Sequence, residues 1–190
     1  MAIFRNQTPQ RRTTVKIKAK YGYYKDDLQR DFNFRCGYCD DLDSYRKADY
    51  QIDHFVPHEY CKTIQKNTYS NLVYSCRNCN RAKWHKFPTQ DENIHHDGKV
   101  GFIDPCHNDY ANQFERERGK IIPITPLGEY MWREIHLYLL RHELIHTLER
   151  LDDNIRELRN LNLPDGHIAR AILSQMCEQA WEIREQLTNG

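Results

Sequence analysis

No run of apolar residues in this chain of 190 approaches the ~18 needed to cross a bilayer, so no membrane-spanning role is expected. The first residues, MAIFRNQTPQRR, lack the apolar core of a secretory signal, which points to the cytoplasm. Internal repeats and low-complexity tracts are absent, leaving one domain, or a small domain with an extension. A large charge surplus is missing too: the formal net charge is +1, 29% of residues are charged and mean hydropathy is −0.90, which describes a polar chain with a modest core. The cysteines do not add up to a disulfide framework. There are seven, an odd number, and four fall in two Cys-x-x-Cys pairs, Cys36/Cys39 and Cys76/Cys79. That usage fits metal binding in a reducing compartment.

The near-zero charge conceals an asymmetry along the chain. Residues 1–25 hold seven Lys or Arg and no acid, and residues 54–90 hold six bases against the single acid Glu59. From Glu129 onward there are eleven acids and seven bases. A basic front half beside metal motifs is the footprint of a phosphate-backbone binder, and Arg11, Arg12, Lys16, Lys18, Arg77, Arg81 and Lys83 are the expected nucleic-acid contacts.

Local pattern suggests an order of elements. Residues 1–12 read as a flexible arm, 13–19 as a short strand of alternating apolar and basic residues, and 24–34 as a short helix. Residues 51–55 and 71–75 have strand composition, 57–70 a loop, and 79–86 a short helix. Three prolines and three glycines make 88–124 an irregular segment. Thr125-Pro126 is a helix start, a cap followed by proline at the first helical position. That helix is expected to run to about 161, with Leu144, Leu148, Leu151, Ile155 and Leu158 forming one apolar seam. Pro164-Asp165-Gly166 breaks it, and a second helix over about 167–187 completes a hairpin; dimerisation through the seam is the alternative.

Two Cys-x-x-Cys turns supply the four soft ligands of a tetrahedral structural Zn²⁺ site. A redox pair needs only one such turn, and the βαβ context of redox motifs is missing. Gly37 is expected to give the first turn its backbone freedom. Cys61, Cys106 and Cys177 have no paired spacing and read as small hydrophobes.

The string Cys36-Gly-Tyr-Cys39, Ile52-Asp53-His54-Phe55-Val56-Pro57, then Ser70-Asn71-Leu72-Val73-Tyr74-Ser75-Cys76-Arg77-Asn78-Cys79-Asn80-Arg81-Ala82-Lys83 resembles the HNH endonuclease family in its zinc-containing form. The resemblance implies a ββα-metal module over 36–90; with the lead-in (1–35), connector (91–125) and helical extension (126–190) read from local pattern, the expected fold is α+β. It implies phosphodiester hydrolysis with His54 as general base, an imidazole being suited to that task near neutral pH. Asp53 and Asn80 would hold a catalytic divalent ion, and Asn71 would orient His54 and brace its loop. A carboxylate and an amide oxygen are hard ligands, which favours Mg²⁺ or Mn²⁺. Lys83 and Arg81 would stabilise charge on the phosphate.

His142-Glu143-Leu144-Ile145-His146 also fits the HExxH signature of zinc proteases. The apolar seam runs in phase through it, so His142, His146 and Glu149 are expected on a solvated polar face instead. The expected function is a DNA endonuclease, with double-stranded DNA as substrate. Its layout is similar to Septu-type anti-phage defence nucleases, which implies an ATPase or recognition partner docked on the acidic C-terminal helices, with a homodimer also open. The alternatives are a restriction or mobile-element nuclease of the same family, and a zinc-stabilised nucleic-acid-binding module without catalysis.

Overall fold

A computed structural model describes residues 2–46, 49–161 and 168–189. In chain order its elements are β1 (Ala2–Ile3), α1 (Lys25–Asp31), β2 (Tyr50–His54), β3 (Leu72–Cys76), α2 (Arg77–Lys83), β4 (Phe114–Glu117), β5 (Lys120–Pro123), α3 (Pro126–Glu134), α4 (Leu140–Asn160) and α5 (Ile168–Asn189). The fold is α+β, with a ββα unit at its centre and helices at the C-terminal end.

β2 and β3 pair antiparallel, with Asp53 opposite Val73 and His54 opposite Leu72. All five residues of β3 are buried, as suits a strand of Leu, Val and Tyr covered by α1 on one side and α2 on the other. The Cys36–Cys39 turn is tied to this strand by the Gly37 N–H, which donates to the Tyr74 carbonyl at 2.8 Å. Gly37 is needed there for space rather than for an unusual φ. A Cβ at this position would lie 2.7 Å from Phe32 Cε1 and 2.8 Å from Val73 Cγ1.

The N-terminal segment is not a loose arm. β1 is the edge of a three-stranded antiparallel sheet ordered β1-β4-β5, so residues 88–124 are not wholly irregular either. Phe4 is buried against Tyr110 and Phe114. Arg5 lies over the Phe4 and Tyr110 rings and donates to the Gly37 carbonyl at 2.7 Å, bolting the first residues to the cysteine turn. Residues 13–18 form no strand.

Thr125 caps α3 as its sequence suggests, its hydroxyl accepting from the Gly128 N–H at 2.9 Å with Pro126 at the first helical position. The single long helix is nevertheless two. Ile135 and Leu137 are both buried, which one helical face cannot achieve at that spacing, and His136 takes φ +61 to turn the chain between them. α4 then packs antiparallel on α5: Leu148 and Ile155 are buried with Ala180 and Leu187, and Asp152 pairs with Arg184 at 2.5 Å. Pro164-Asp165-Gly166 lies outside the described residues. The first half of the opposite face of α4 is not solvated, although Asp153 and Arg156 further along are exposed. His142 is 1% exposed with Nδ1 2.7 Å from Asp41, Glu149 binds Arg35 through two hydrogen bonds, and Asp152 accepts from the Tyr45 hydroxyl at 2.9 Å. His142, Glu149 and Asp152 thus fasten the helical extension to the cysteine module.

Candidate active site and metal centre

The four paired cysteines converge. Their sulfurs all lie within 4.8 Å of one another, and Cys39 Sγ and Cys76 Sγ are 3.9 Å apart. A tetrahedron with metal–sulfur bonds of about 2.3 Å has edges of roughly 3.8 Å, so the cluster fits one zinc-sized ion. Burial pushes the Cys39 and Cys79 thiols up. At Cys36 burial acts in the same sense but is outweighed by hydrogen bonds from Cys39, Cys76 and Cys79, which hold this thiol well below its usual value.

A concavity of about 470 Å³ opens at the end of β2 and is lined by Asp53, His54 and Asn80, with Arg77, Arg81 and Trp84 beside them. The elements explain the convergence. Asp53 and His54 are the last two residues of β2, while the β2–β3 pairing and the turn into α2 bring Asn80 across from them.

His54 Nε2 lies 2.8 Å from the Lys66 carbonyl oxygen. A carbonyl only accepts, so Nε2 is the donor, and in the neutral imidazole the lone pair falls on Nδ1. Tyr21 and His58 flank the imidazole, each ring centroid 4.8 Å away. The His58 pKa lies below the ordinary imidazole value, chiefly through partial burial and then through His54 and Lys66. Asn71 acts one step removed from the ring. Its buried side chain accepts from the Val56 N–H at 2.9 Å and donates to the Val56 carbonyl at 3.0 Å, stapling the backbone just beyond His54.

Asp53 Oδ2 accepts from the Tyr38 hydroxyl at 2.5 Å and lies 3.3 Å from Lys83 Nζ, while Oδ1 takes neither partner. Asn80 Nδ2 donates to Gln51 Oε1 at 2.7 Å, which orients the amide and leaves Oδ1 as its ligand atom. One carboxylate oxygen and one amide oxygen are therefore available to a hard cation. These are donors of the right kind for Mg²⁺ or Mn²⁺.

Several expected phosphate contacts are otherwise engaged. Lys83 is 0% exposed; its ammonium pairs with Asp53 and donates to the His54 carbonyl at 3.1 Å. It braces the Asp53-His54 dipeptide from beneath and does not reach solvent. Arg11 forms a two-point pair with Asp104 (2.8 and 3.0 Å) and donates to the Leu72 carbonyl at 2.6 Å. Arg12 is paired with Asp31 and Asp27, and Lys18 with Asp27. The N-terminal basic run is thus largely neutralised by acids distant in sequence. Lys16, Arg77 and Arg81 are exposed.

Glu92 was not visible as a site residue, because it acts on backbone. Its carboxylate accepts from the Lys62 N–H (2.7 Å), the Thr63 N–H (3.0 Å) and hydroxyl (2.7 Å), and the Ile64 N–H (3.3 Å). It therefore holds the loop that presents the Lys66 carbonyl to His54. The Thr63 hydroxyl, followed by these N–H groups, holds the Glu92 carboxyl down at about 2. A depressed folded-state pKa gives stability that is present above the ordinary glutamate value near 4.5 and is lost as pH falls from there toward 2. Urea midpoints measured down that window should fall less steeply for Glu92→Gln than for wild type; equal slopes would remove Glu92 from the account.

Residues 36–86 match the family model of the HNH endonuclease. This segment contains both cysteine pairs and Asp53, His54, Asn71 and Asn80, the groups that form the two sites. At the level of the whole chain, the sequence is 27% identical over 191 residues to the Septu protein PtuB of Bacillus mycoides (strain KBAB4). That match takes in 86% of this chain and 64% of the relative, so the chain spans less than two thirds of the relative's length. No solved structure matches significantly. Among the described residues, no helix is long and apolar enough to cross a membrane.

Proposed function

We propose that the chain is a metal-dependent endonuclease that hydrolyses DNA phosphodiester bonds and serves as a nuclease effector in prokaryotic anti-phage defence in the cytoplasm. The observation that carries this reading is the meeting of Asp53, His54 and Asn80 in one concavity, with His54 Nε2 engaged by the Lys66 carbonyl. A zinc-stabilised binding module without catalysis has no use for such a set.

In this reading the cysteines hold structural Zn²⁺. His54 takes a proton from the attacking water through Nδ1, its ring fixed by the Lys66 carbonyl. Asp53 Oδ1 and Asn80 Oδ1 are the residues that would hold Mg²⁺ or Mn²⁺. Such an ion supplies charge stabilisation to the phosphate and the leaving oxygen. Asn71, Lys83 and Glu92 keep these groups in place, and Arg77 and Arg81 receive flanking phosphates. One module attends to one strand, so a double-strand break takes two chains or two events.

The likeness to a Septu protein supports the defence role. An ATPase or recognition subunit would dock on the C-terminal hairpin, where Glu157, Glu178, Glu182 and Glu185 are exposed. Plasmid cleavage by the purified chain tests the chemistry. Cutting should require added Mg²⁺ or Mn²⁺, and about one zinc per chain should survive gel filtration. Cleavage that persists in EDTA, or none with either ion, contradicts the proposal.

A further inference from the structure

We infer that Trp84 is a stacking platform for an unpaired nucleobase next to the scissile phosphate, so that the preferred substrate is single-stranded or locally unpaired DNA. This deepens the nuclease reading and rests on it.

Two independent observations meet at this residue. Trp84 is 67% exposed, yet it lines the concavity that holds Asp53, His54 and Asn80. Its ring contact is with His85, at 4.8 Å between centroids, and the His85 side chain is itself 51% exposed. The indole is therefore not a core side chain that happens to show an edge.

Its backbone adopts φ 44, ψ −128 where α2 ends, a conformation that glycine takes readily and a bulky L-residue does not. The chain holds its largest side chain at a place where glycine would serve the turn better. A solvent-facing aromatic kept under backbone strain at the lip of a catalytic concavity points to a ligand contact.

The surroundings indicate which ligand. Arg77 and Arg81, exposed beside Trp84, offer charge to the phosphates. Tyr21, 36% exposed, lines the same concavity, with Lys66 Nζ 5.7 Å from its ring centroid. Cations alternating with accessible aromatic faces are the combination by which proteins hold single strands, the rings stacking on successive bases. In a paired duplex the base faces are already covered by their neighbours. An indole finds a face only where a base is unpaired or turned out.

Equilibrium binding of labelled oligonucleotides to the zinc-loaded full chain, in a His54→Ala background that prevents cutting, tests the inference. The parent should bind a single strand more tightly than the corresponding duplex. Trp84→Gly should weaken single-strand binding by about 5- to 150-fold, the range for losing one base stack, with a thermal midpoint at or above the parent's. Trp84→Phe should keep most of the affinity. The inference is overturned if Trp84→Gly binds the single strand as tightly as the parent, if the parent prefers the duplex, or if the midpoint falls together with affinity, which marks a structural role. Cleavage by the chain with His54 intact separates this from the underlying reading. A chain that binds single strands through Trp84 but cuts nothing refutes the nuclease and keeps the platform; one that cuts with Trp84→Gly unimpaired refutes the platform alone.

Discussion

His54→Ala is expected to lower the single-turnover cleavage rate by about 10²- to 10⁴-fold, the usual worth of a positioned general base, while zinc content and circular dichroism stay at wild-type values. The ring is half-buried at the mouth of the concavity, and its one polar tie among the described residues is to the Lys66 carbonyl. Truncation removes that tie and leaves the Asn71 staple on Val56 and the buried Lys83–Asp53 pair untouched, so the loss should fall on the rate and not on folding. Wild-type cleavage by the variant would exclude His54 as the base. A loss of zinc or of cooperative unfolding would mean that the residue is structural.

Cys76→Ser should have the larger effect on the molecule as a whole. Cys76 ends β3, pairs with Tyr50 across the hairpin, caps α2, and its N–H donates to Cys36 Sγ at 3.3 Å. The backbone of Cys76 thus joins the cysteine turn, both strands and the helix that carries Asn80 and Lys83, and its sulfur, the group the substitution removes, is one of the four that converge. Structural zinc contributes on the order of 10–16 kcal/mol in small zinc modules, as much as the whole folding stability of a typical domain. The variant should lose its cooperative thermal transition and retain well below one zinc per chain. A metal-free variant that unfolds at the wild-type midpoint would show that the cysteines are ordinary core residues.

The parts legible in the sequence are those whose information is local. Cysteine spacing, the strand composition around Asp53-His54 and Leu72–Cys76, and the Thr125-Pro126 cap each fit within a few residues, and the structure has them in the expected places. It also brings Asp53, His54 and Asn80 together, since the antiparallel pairing of β2 with β3 and the direct run of β3 into α2 leave little freedom between them. What could not be read depends on partners far along the chain. Arg11 looked like a phosphate contact because Asp104 lies 93 residues away. Lys83 looked like a surface cation because its burial is set by Phe55 and Phe102, whose ring centroids lie 5.8 Å from its Nζ. The break between α3 and α4 contains neither proline nor glycine; it exists because Ile135 and Leu137 both enter the core. His142 fits a protease signature by spacing, and only the fold reveals that its partner is Asp41.

Chemical rescue of His54→Gly addresses the central claim most directly. Added imidazole can occupy the space beside Tyr21 and His58 and supply the missing lone pair. The account predicts that this variant, loaded with zinc and supplied with Mg²⁺ or Mn²⁺, is nearly inert alone, and that cleavage rises with imidazole concentration and with pH through the imidazole titration. Cleavage by His54→Gly at the wild-type rate without imidazole would contradict it.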